Sequence, residues 1–265
     1  MHQPEVSIII LEYFSHEEVG RCISSLHKNL ETIKHEIIVS SNSCYDQNRQ
    51  KLIIEEYSDA IWIFNTKNGG FAFGMNRGLE KASGRYLLII NSDITFLEGF
   101  SKMLSFMDSH PEAGAIGPQM IDADGIIQDN CRPYVSLSRF IKRQIRRIIS
   151  HEIAIRDKKF DYSKIQTVDW LAGAFIMVPR TVYELTGGLN DNYFMYAEDM
   201  DWCTRIRKSG YEIIYYPKMR IIYKGSRYAR KLNKYTWIFI NSHLKYWLRF
   251  GFFFGYPQRK EYKYE

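Results

Sequence analysis

Short apolar runs alternate with segments of helical periodicity along the first part of the chain. The runs lie at residues 6–11, 36–39, 61–64 and 85–90, and they are rich in Ile and other strand-forming residues. Helical spacing follows each run, first through Val19, Ile23, Leu26 and Leu30, then over about 46–57, 71–82 and 98–109. This alternation predicts an α/β fold with a mostly parallel central sheet covered by helices on both faces.

The pattern changes after Ala115. A hairpin is predicted over residues 121–127, around Asp124-Gly125, and an inserted helix over about 137–150 has one apolar face and one basic face. Later elements are a strand over 170–178, a short helix near 181–186, a helix over about 198–209 and a strand over 211–216. Because no Ser- or Pro-rich linker divides these elements, we expect one large domain.

Positive charge is concentrated at the end of the chain. The net charge is +6, but ten Lys or Arg and two Glu from Lys224 onward give that tail +8 and leave −2 for the rest. Residues 235–254 also mix aromatic side chains with cations. Together with the basic helix at 137–150, this favours attachment to an anionic membrane surface, with a dimer interface as the alternative. We expect no nucleic acid partner, because no recognised nucleic-acid module is present.

Cysteine usage and the apolar runs bear on the compartment. The four cysteines lie far apart and include no Cys-x-x-Cys pair, which predicts neither a zinc knuckle nor a disulfide framework. The first residues lack a basic leader, and no apolar run approaches the ~18 residues of a membrane-spanning helix. We therefore expect a cytoplasmic protein that is attached peripherally to the inner face of the cell membrane.

Polar residues follow two of the predicted strands. Ser41 and Asn42 come after the second strand, and Asn91, Ser92 and Asp93 come after the fourth. Ligands of open α/β sheets bind beyond the carboxyl ends of the strands, so these side chains are candidate ligand contacts. A lone aspartate after a buried strand is well placed to meet Mg²⁺ or Mn²⁺ and a nucleoside diphosphate, although a helix cap is the alternative interpretation.

A glycine-rich segment covers residues 68–78. Its four glycines would let the backbone approach a phosphate or a sugar closely, but their spacing matches neither a P-loop nor a dinucleotide fingerprint. The alternative is that these residues only begin the helix that follows. Taken alone, the segment does not decide between a ligand loop and a helix start.

Three carboxylates, Glu198, Asp199 and Asp201, fall within four successive positions inside the aromatic-rich segment 193–205. They repel one another, so a cation, a sugar hydroxyl or solvent must make the cluster tolerable. One interpretation is a catalytic base. The other is a helix start whose acidic residues complement the helix dipole.

In their order along the chain, these motifs resemble those of family 2 glycosyltransferases, which are inverting enzymes of the GT-A fold, and especially the rhamnosyltransferase-like branch. The matching segments are residues 68–78, 91–93, 170–174 and 194–205, within a resemblance that covers roughly 5–226. It implies a GT-A domain over 1–226 and a basic extension over 227–265. It also implies transfer of a sugar, with rhamnose as a candidate, from a dTDP or UDP donor to a saccharide acceptor. That acceptor would be lipid-linked, in cell-surface polysaccharide synthesis.

The resemblance also implies roles for individual residues. Asp199 would be the general base, and Glu198, Trp170 and Tyr196 would bind the acceptor. The expected donor contacts lie at strand ends or in the glycine-rich segment, with one later cation: Glu12, Ser41, Asn42, Gly70, Asn76, Asn91, Ser92, Asp93 and Lys224. Asp93 is also the expected ligand of a divalent cation, Mg²⁺ or Mn²⁺. From their spacing we expect Asp201 and Arg205 to form an i,i+4 pair that holds the helix.

Two positions depart from the family pattern. Ser41 stands where the family has the aspartate that reads the uracil or thymine base, and Glu12 is a candidate to supply that carboxylate from the neighbouring strand end. Tyr223 stands where the family has a histidine metal ligand, so Lys224 is a candidate to neutralise the leaving diphosphate directly. These departures leave open a catalytically degenerate domain that serves as a binding module. A nucleotidyltransferase is the weaker rival, because its N-terminal glycine-rich signature is absent.

Overall fold

The computed structural model describes residues 3–30, 33–132, 137, 160–225, 234–252 and 264. Within these ranges the chain forms eleven strands and seven helices. The strands are β1 Val6–Glu12, β2 His35–Ser41, β3 Ile61–Phe64, β4 Tyr86–Asn91, β5 Ile94–Phe96, β6 Ala113–Ile121, β7 Cys131–Arg132, β8 Gln166–Val168, β9 Trp170–Leu171, β10 Phe175–Pro179 and β11 Glu212–Tyr223. The helices are α1 His16–Asn29, α2 Gln47–Glu56, α3 Phe71–Leu79, α4 Ser101–Ser109, α5 Arg180–Thr186, α6 Glu198–Lys208 and α7 Lys234–Phe250. Apart from Leu137, the helix expected over 137–150 lies outside the described residues.

One large sheet organises the chain. Its strands follow the order β3-β2-β1-β4-β10-β6-β11-β5, and β8 pairs with β11 off this path. Strands β1 to β4 run parallel to one another, and β6 runs parallel to β11, whereas β10 is antiparallel to both β4 and β6. The predicted α/β fold of GT-A type is confirmed.

Burial on both faces explains why the first strands are continuously apolar. Ile8 and Ile10 pack into an apolar layer on one face of the sheet, which includes Phe100 from the segment before α4. Ile9 between them packs into the opposite layer with Met75 of α3. A strand that contacts helices on both sides has no polar face, so its side chains do not alternate.

Two predicted strands differ from the structure. The run over 170–178 divides into β9 and β10, because the chain turns at Ala172-Gly173 and Ala172 N–H donates to the Asn130 carbonyl at 2.8 Å. The strand expected over 211–216 continues to Tyr223, since its second half pairs with β5 as well as β6. The hairpin over 121–127 is confirmed by an antiparallel bridge between Ile121 and Ile127.

Helix α7, from the extension, packs against the domain. Tyr246 and Trp247 are buried in an apolar cluster with Tyr193 and Met200. In the described part of the chain, no helix combines the length and the apolar character needed to cross a membrane.

Candidate active site

The polar ends of β1, β2 and β4 meet at one edge of the sheet. Strand β1 lies between the other two, with Glu12 as the register partner of Ser41. Strand β4 ends at Asn91, and the next residue, Ser92, has its Oγ 3.2 Å from Ser15 Oγ. The structure therefore brings the strand-end residues of the expected donor site together.

Glu12 is fully buried and accepts four hydrogen bonds from the protein. Its Oε1 accepts from Ser15 N–H at 2.7 Å and from Tyr45 Oη at 3.0 Å. Its Oε2 accepts from Ser41 Oγ at 2.5 Å and from Ser43 Oγ at 2.8 Å. Four donors fill the acceptor sites of a carboxylate, so Glu12 orients the hydroxyl groups and loops around it.

The glycine-rich segment contacts the aromatic segment before α6. Gly70 has a φ of 94°, and Phe71 N–H donates to the Phe194 carbonyl at 2.7 Å. A Cβ on Gly70 would lie 2.1 Å from that carbonyl oxygen, so this close approach requires glycine. Asn42 Nδ2 donates to the Gly70 carbonyl at 2.9 Å, while its Oδ1 accepts from Asn65 at 3.0 Å.

Asn76 fastens α3 to the turn after α5. Its Nδ2 donates to the Leu189 carbonyl at 2.7 Å and to Asp191 Oδ1 at 2.5 Å, while its Oδ1 accepts from Leu189 N–H at 2.9 Å. Gly188 lies so close that a Cβ there would stand 2.4 Å from Asn76 Oδ1. Both ends of this amide are therefore engaged by the chain itself.

Asp93 lies just beyond β4 beside the end of β11. Its Oδ2 accepts from Gly225 N–H at 3.1 Å, and burial raises the pKa of its carboxyl. Asn91 Nδ2 donates to Tyr223 Oη at 3.1 Å. Lys224 has an exposed side chain at the same place, and its positive charge acts against that rise in pKa.

Asp93 is the carboxylate expected to bind a divalent cation, and Tyr223 lies beside it. Burial raises the pKa of Tyr223, and the negative charge of Asp93 adds to the rise. Tyr223 therefore stays a neutral phenol, which is a poor ligand for Mg²⁺ or Mn²⁺. Across the ranges that the structure describes, no group of three or more His, Cys, Asp or Glu side chains could hold a metal ion. A divalent cation bound beside Asp93 would therefore need further ligands from outside these side chains.

Asp199 lies in the first turn of α6 with its carboxylate held in place. Its Oδ2 accepts from Gly173 N–H at 3.0 Å, and its Oδ1 accepts from Met200 N–H at 2.8 Å. The residue after Gly173, Ala174, accepts from Asn91 N–H at 3.1 Å. The turn between β9 and β10 thus places the expected base beside the end of β4.

The entry to α6 is strained. Tyr196 and Ala197 have φ values of 71° and 69°, in the left-handed region that side chains other than glycine rarely adopt. Such conformations persist where the surroundings fix them, and they cluster at functional sites. The Tyr196 ring packs edge-on against Phe239 of α7, with 5.4 Å between ring centroids, so α7 helps to hold this segment.

The carboxyl group of Glu198, next to Asp199, is buried. Burial, and then the negative charge of Asp199, raises the pKa of Glu198 well above its usual range, which favours the neutral acid. Within the described part of the chain, its Oε2 has no hydrogen-bond partner. The cluster therefore holds a neutral acid beside a positioned aspartate, a combination suited to two different roles.

Asp201 is a buried anchor rather than a ligand group. Its Oδ1 lies 2.6 Å from Arg205 Nε, which confirms the predicted i,i+4 pair. Its Oδ2 lies 2.9 Å from Arg249 Nη1 and 3.2 Å from Tyr193 Oη. The contact with Arg249 was not predicted, because nothing in the spacing along the chain connects α7 with α6.

Trp170 lies half-buried at the start of β9. Its ring packs against the apolar cluster around Tyr193 and Met200, and its indole Nε1 has no partner within the described residues. The structure thus places Trp170 near α6, where it also completes the packing of the cluster.

Comparisons with known proteins agree with this geometry. The family model described as Glycosyl transferase family 2 matches residues 7–162. The chain is 24% identical over 240 residues to an N-acetylglucosaminyl-diphospho-decaprenol L-rhamnosyltransferase of Mycobacterium tuberculosis, covering 80% of this chain and 76% of that protein. It is 27% identical over 232 residues to the rhamnosyltransferase WbbL of Escherichia coli, covering 82% and 83%. It is 25% identical over 214 residues to the low-salt glycan biosynthesis hexosyltransferase Agl10 of Haloferax volcanii, covering 79% and 64%.

Solved structures share the fold. The mannosyltransferase PcManGT from Pyrobaculum calidifontis, in complex with GDP-Man and Mn²⁺, superposes with a TM-score of 0.61 at 16% identity, covering 97% of this chain and 67% of that one. GalNAc-T7 with UDP, GalNAc and Mn²⁺ gives a TM-score of 0.62 at 13% identity, covering 84% and 44%. At these identities the likeness concerns the fold alone.

Proposed function

Because the chain belongs to glycosyl transferase family 2 and is a glycosyltransferase, we propose that it transfers a hexose, with rhamnose as the first candidate, to a lipid-linked saccharide. The observation that carries the proposal is the position of Asp199. Its carboxylate is held by Gly173 N–H at the same sheet edge as Asn91 and Asp93. The rhamnosyltransferases that this chain resembles support rhamnose and a polyprenyl diphosphate-linked acceptor.

In the proposed reaction Asp199 is the general base. As the acceptor hydroxyl attacks the anomeric carbon, its proton passes to the Asp199 carboxylate. A new C–O bond forms on one face of the sugar while the bond to the nucleoside diphosphate breaks on the other. One displacement of this kind inverts the anomeric configuration, and the diphosphate leaves with the bonding electron pair.

Glu198, Tyr196 and Trp170 form the proposed acceptor side of the site. A neutral Glu198 can donate a hydrogen bond to an acceptor oxygen and accept one from a hydroxyl, whereas a second anion would compete with Asp199 for protons. Tyr196 and Trp170 lie close by and offer aromatic faces suited to the apolar face of a sugar ring.

The proposed donor side comprises the polar residues at the ends of β1, β2 and β4, together with Lys224 beside Asp93. Ser41 and Asn42 are 0% and 2% exposed and are held by Glu12 and Gly70, so in this proposal they support the loops that face a UDP or dTDP group. Lys224 is exposed beside Asp93, where an ammonium group can stabilise the leaving diphosphate. A divalent cation at Asp93 would take most of its remaining ligands from the diphosphate and water.

We place this activity at the cytoplasmic face of the cell membrane, in the assembly of a surface polysaccharide. A lipid-linked acceptor is confined to the bilayer, so an enzyme that uses it must work at the membrane surface. The net charge of +8 from Lys224 onward would attract the protein to anionic lipids there.

A thermal-shift screen of dTDP-, UDP- and GDP-sugars tests the proposal. A donor that binds only the native state at about a hundredfold excess over its Kd should raise the melting temperature by about 5 °C or more. We expect a dTDP- or UDP-sugar to do so, and the product formed with a lipid-linked acceptor to have the inverted configuration by NMR. If no nucleotide sugar stabilises the protein, the binding-module alternative replaces the transferase.

A further inference from the structure

Helix α7 has one face fixed against the catalytic segment. Ser242 Oγ donates to the Met195 carbonyl at 2.7 Å, and Tyr246 Oη lies 2.8 Å from Thr204 Oγ1. Arg249 adds the ion pair with Asp201 that was described above. These contacts span the helix from its middle to its last turn, so they fix its rotation about its own axis.

The opposite face of α7 carries an exposed apolar stripe. Trp237, Ile240, Leu244 and Leu248 are 72%, 43%, 43% and 69% exposed. Their spacing of three, four and four residues keeps them on one side of the helix over a length of about 16 Å. Since the inner face is fixed, the stripe cannot rotate into the domain, and a contiguous exposed apolar surface of this kind marks an interaction site.

A cationic cavity of about 890 Å³ adjoins the end of this stripe. Leu248 belongs to both, and the charged residues that the structure describes in the cavity wall are Arg205, Lys245 and Arg249, without a carboxylate among them. Asp201 pairs with both Arg205 and Arg249, and its single negative charge neutralises only part of this positive charge. The Arg205 side chain is only 17% exposed, whereas that of Arg249 is 43% exposed beside its ion pair with Asp201. Lys245 is also exposed, and its Nζ donates to the Asn192 carbonyl at 2.6 Å, so Lys245 and Arg249 present the accessible charge.

We propose that the apolar stripe and the cationic cavity together form a docking surface for an anionic phospholipid bilayer. The stripe would enter the boundary between headgroups and acyl chains, and a headgroup phosphate would occupy the cavity beside Lys245 and Arg249. An amphipathic helix with Trp and Leu on one side and cations at the margin binds bilayers in this way. The proposal deepens the membrane location given under the proposed function and rests on it.

The positive charge beside the stripe favours an anionic bilayer over a second copy of the chain as the partner of this surface. If two copies of the stripe met face to face, the cations beside it would approach their own equivalents on a protein of net charge +6. An anionic bilayer instead complements both the stripe and its margin.

Docking by this face would place α7 between the bilayer and the acceptor side of the active site. Phe239 lies on the face of α7 that packs against the domain, away from the stripe, and its ring contacts Tyr196, two residues before Glu198. The same helix therefore connects the docking surface to the segment before Asp199. A sugar carried on a membrane lipid would extend past this helix, which is about 10 Å across, to reach the site.

Vesicle flotation of the full chain tests the docking surface. The vesicles contain phosphatidylcholine alone, or phosphatidylcholine with an equal amount of phosphatidylglycerol. We expect binding to the anionic vesicles that weakens as NaCl rises from about 0.1 M to about 0.5 M.

A Trp237→Ser/Leu244→Ser double variant should bind about tenfold more weakly or worse, and Lys245→Glu should lose the preference for anionic vesicles. The matched control is Leu52→Ser on α2, where Leu52 is 55% exposed and outside the proposed surface.

The outcomes separate this proposal from the transferase activity. Each variant is also tested for circular dichroism, for melting and for stabilisation by the donor. Weaker vesicle binding with unchanged melting and donor stabilisation supports the docking surface. Equal vesicle binding by the double variant and Leu52→Ser overturns it, even if transfer is intact. A concentration-dependent dimer that the double variant abolishes overturns it in favour of a second copy.

Discussion

Ser41 Oγ donates a hydrogen bond to Glu12 Oε2 at 2.5 Å, between two residues that are register partners at the ends of β2 and β1. The carboxylate at this edge of the sheet therefore comes from β1, whereas the family pattern places it on β2. A side chain on either strand end can reach the space between them. We therefore expect substitutions at the two positions to have coupled effects on the free energy of unfolding.

We predict that Ser41→Asp destabilises the protein by about 2–4 kcal/mol, because it adds a second carboxylate to a buried site that holds one already. Adding Glu12→Gln should recover at least about 1 kcal/mol, since the double variant again has a single carboxylate. Urea unfolding of both single variants and the double variant measures this coupling. The control is Glu17→Gln, an exposed change on α1; if it recovered as much stability as Glu12→Gln, the pairing would be wrong.

Gly70→Ala should destabilise the protein and reduce transfer, because its Cβ would overlap the Phe194 carbonyl at 2.1 Å. Gly125→Ala is the matched control: Gly125 also has a positive φ, 79°, but nothing lies within 4 Å of its Cβ position. The control should cost only the backbone strain, about 1 kcal/mol. We expect Gly70→Ala to cost at least about 2 kcal/mol more in urea unfolding. Equal losses would show that the loop adapts without disturbing the segment before α6.

Glu198→Gln should stabilise the protein increasingly as pH rises. The folded state raises the pKa of Glu198, so it binds the proton more tightly than the unfolded state does. The wild-type protein therefore loses stability from just above the ordinary pKa of a glutamate, about 4.3, up to the raised pKa, while the glutamine variant does not. Melting temperatures of both proteins across this range provide the measurement. A difference between them that stays constant or shrinks as pH rises would contradict the assignment of a neutral Glu198.

Chelation should affect this enzyme only weakly. Tyr223 is a neutral phenol where a histidine ligand would strengthen a cation site, and Lys224 supplies positive charge beside Asp93. We expect EDTA to lower the transfer rate less than about tenfold, whereas Tyr223→His should gain activity with Mn²⁺. Tyr223→Phe is the control, since it removes the hydroxyl without adding a ligand. Complete loss of wild-type activity in EDTA, with recovery in Mg²⁺, would show that the enzyme requires the cation.

Much of the fold could be predicted from the sequence, because buried parallel strands produce apolar runs and surface helices produce a 3.6-residue period. The runs at 6–11 and 61–64 correspond to β1 and β3 with little change at their ends. The turn at Gly173 could not be predicted, since apolar residues continue through it and the contacts made there are with distant Asn130 and Asp199.

The sequence indicated which residues come together at the candidate site, but it did not indicate which atoms they contact. The order of motifs identified Asp199 and Asp93, which the structure brings to one edge of the sheet. Polarity alone did not show whether a loop side chain contacts a ligand or another loop, and both ends of the Asn76 amide are engaged by the chain. Nor could the partner of Asp201 on α7 be inferred, because such pairs depend on how distant elements pack.

The central claim is that Asp199 is the base, and Asp199→Asn tests it most directly. An amide of nearly the same shape keeps one oxygen for Gly173 N–H but cannot accept the proton of the acceptor hydroxyl. We predict that the transfer rate falls by about a thousandfold or more while the donor Kd stays within a few fold. Asp124→Asn, in the exposed turn of the hairpin, should leave both values unchanged. A transfer rate for Asp199→Asn within about tenfold of the wild type, with donor binding intact, would contradict the claim.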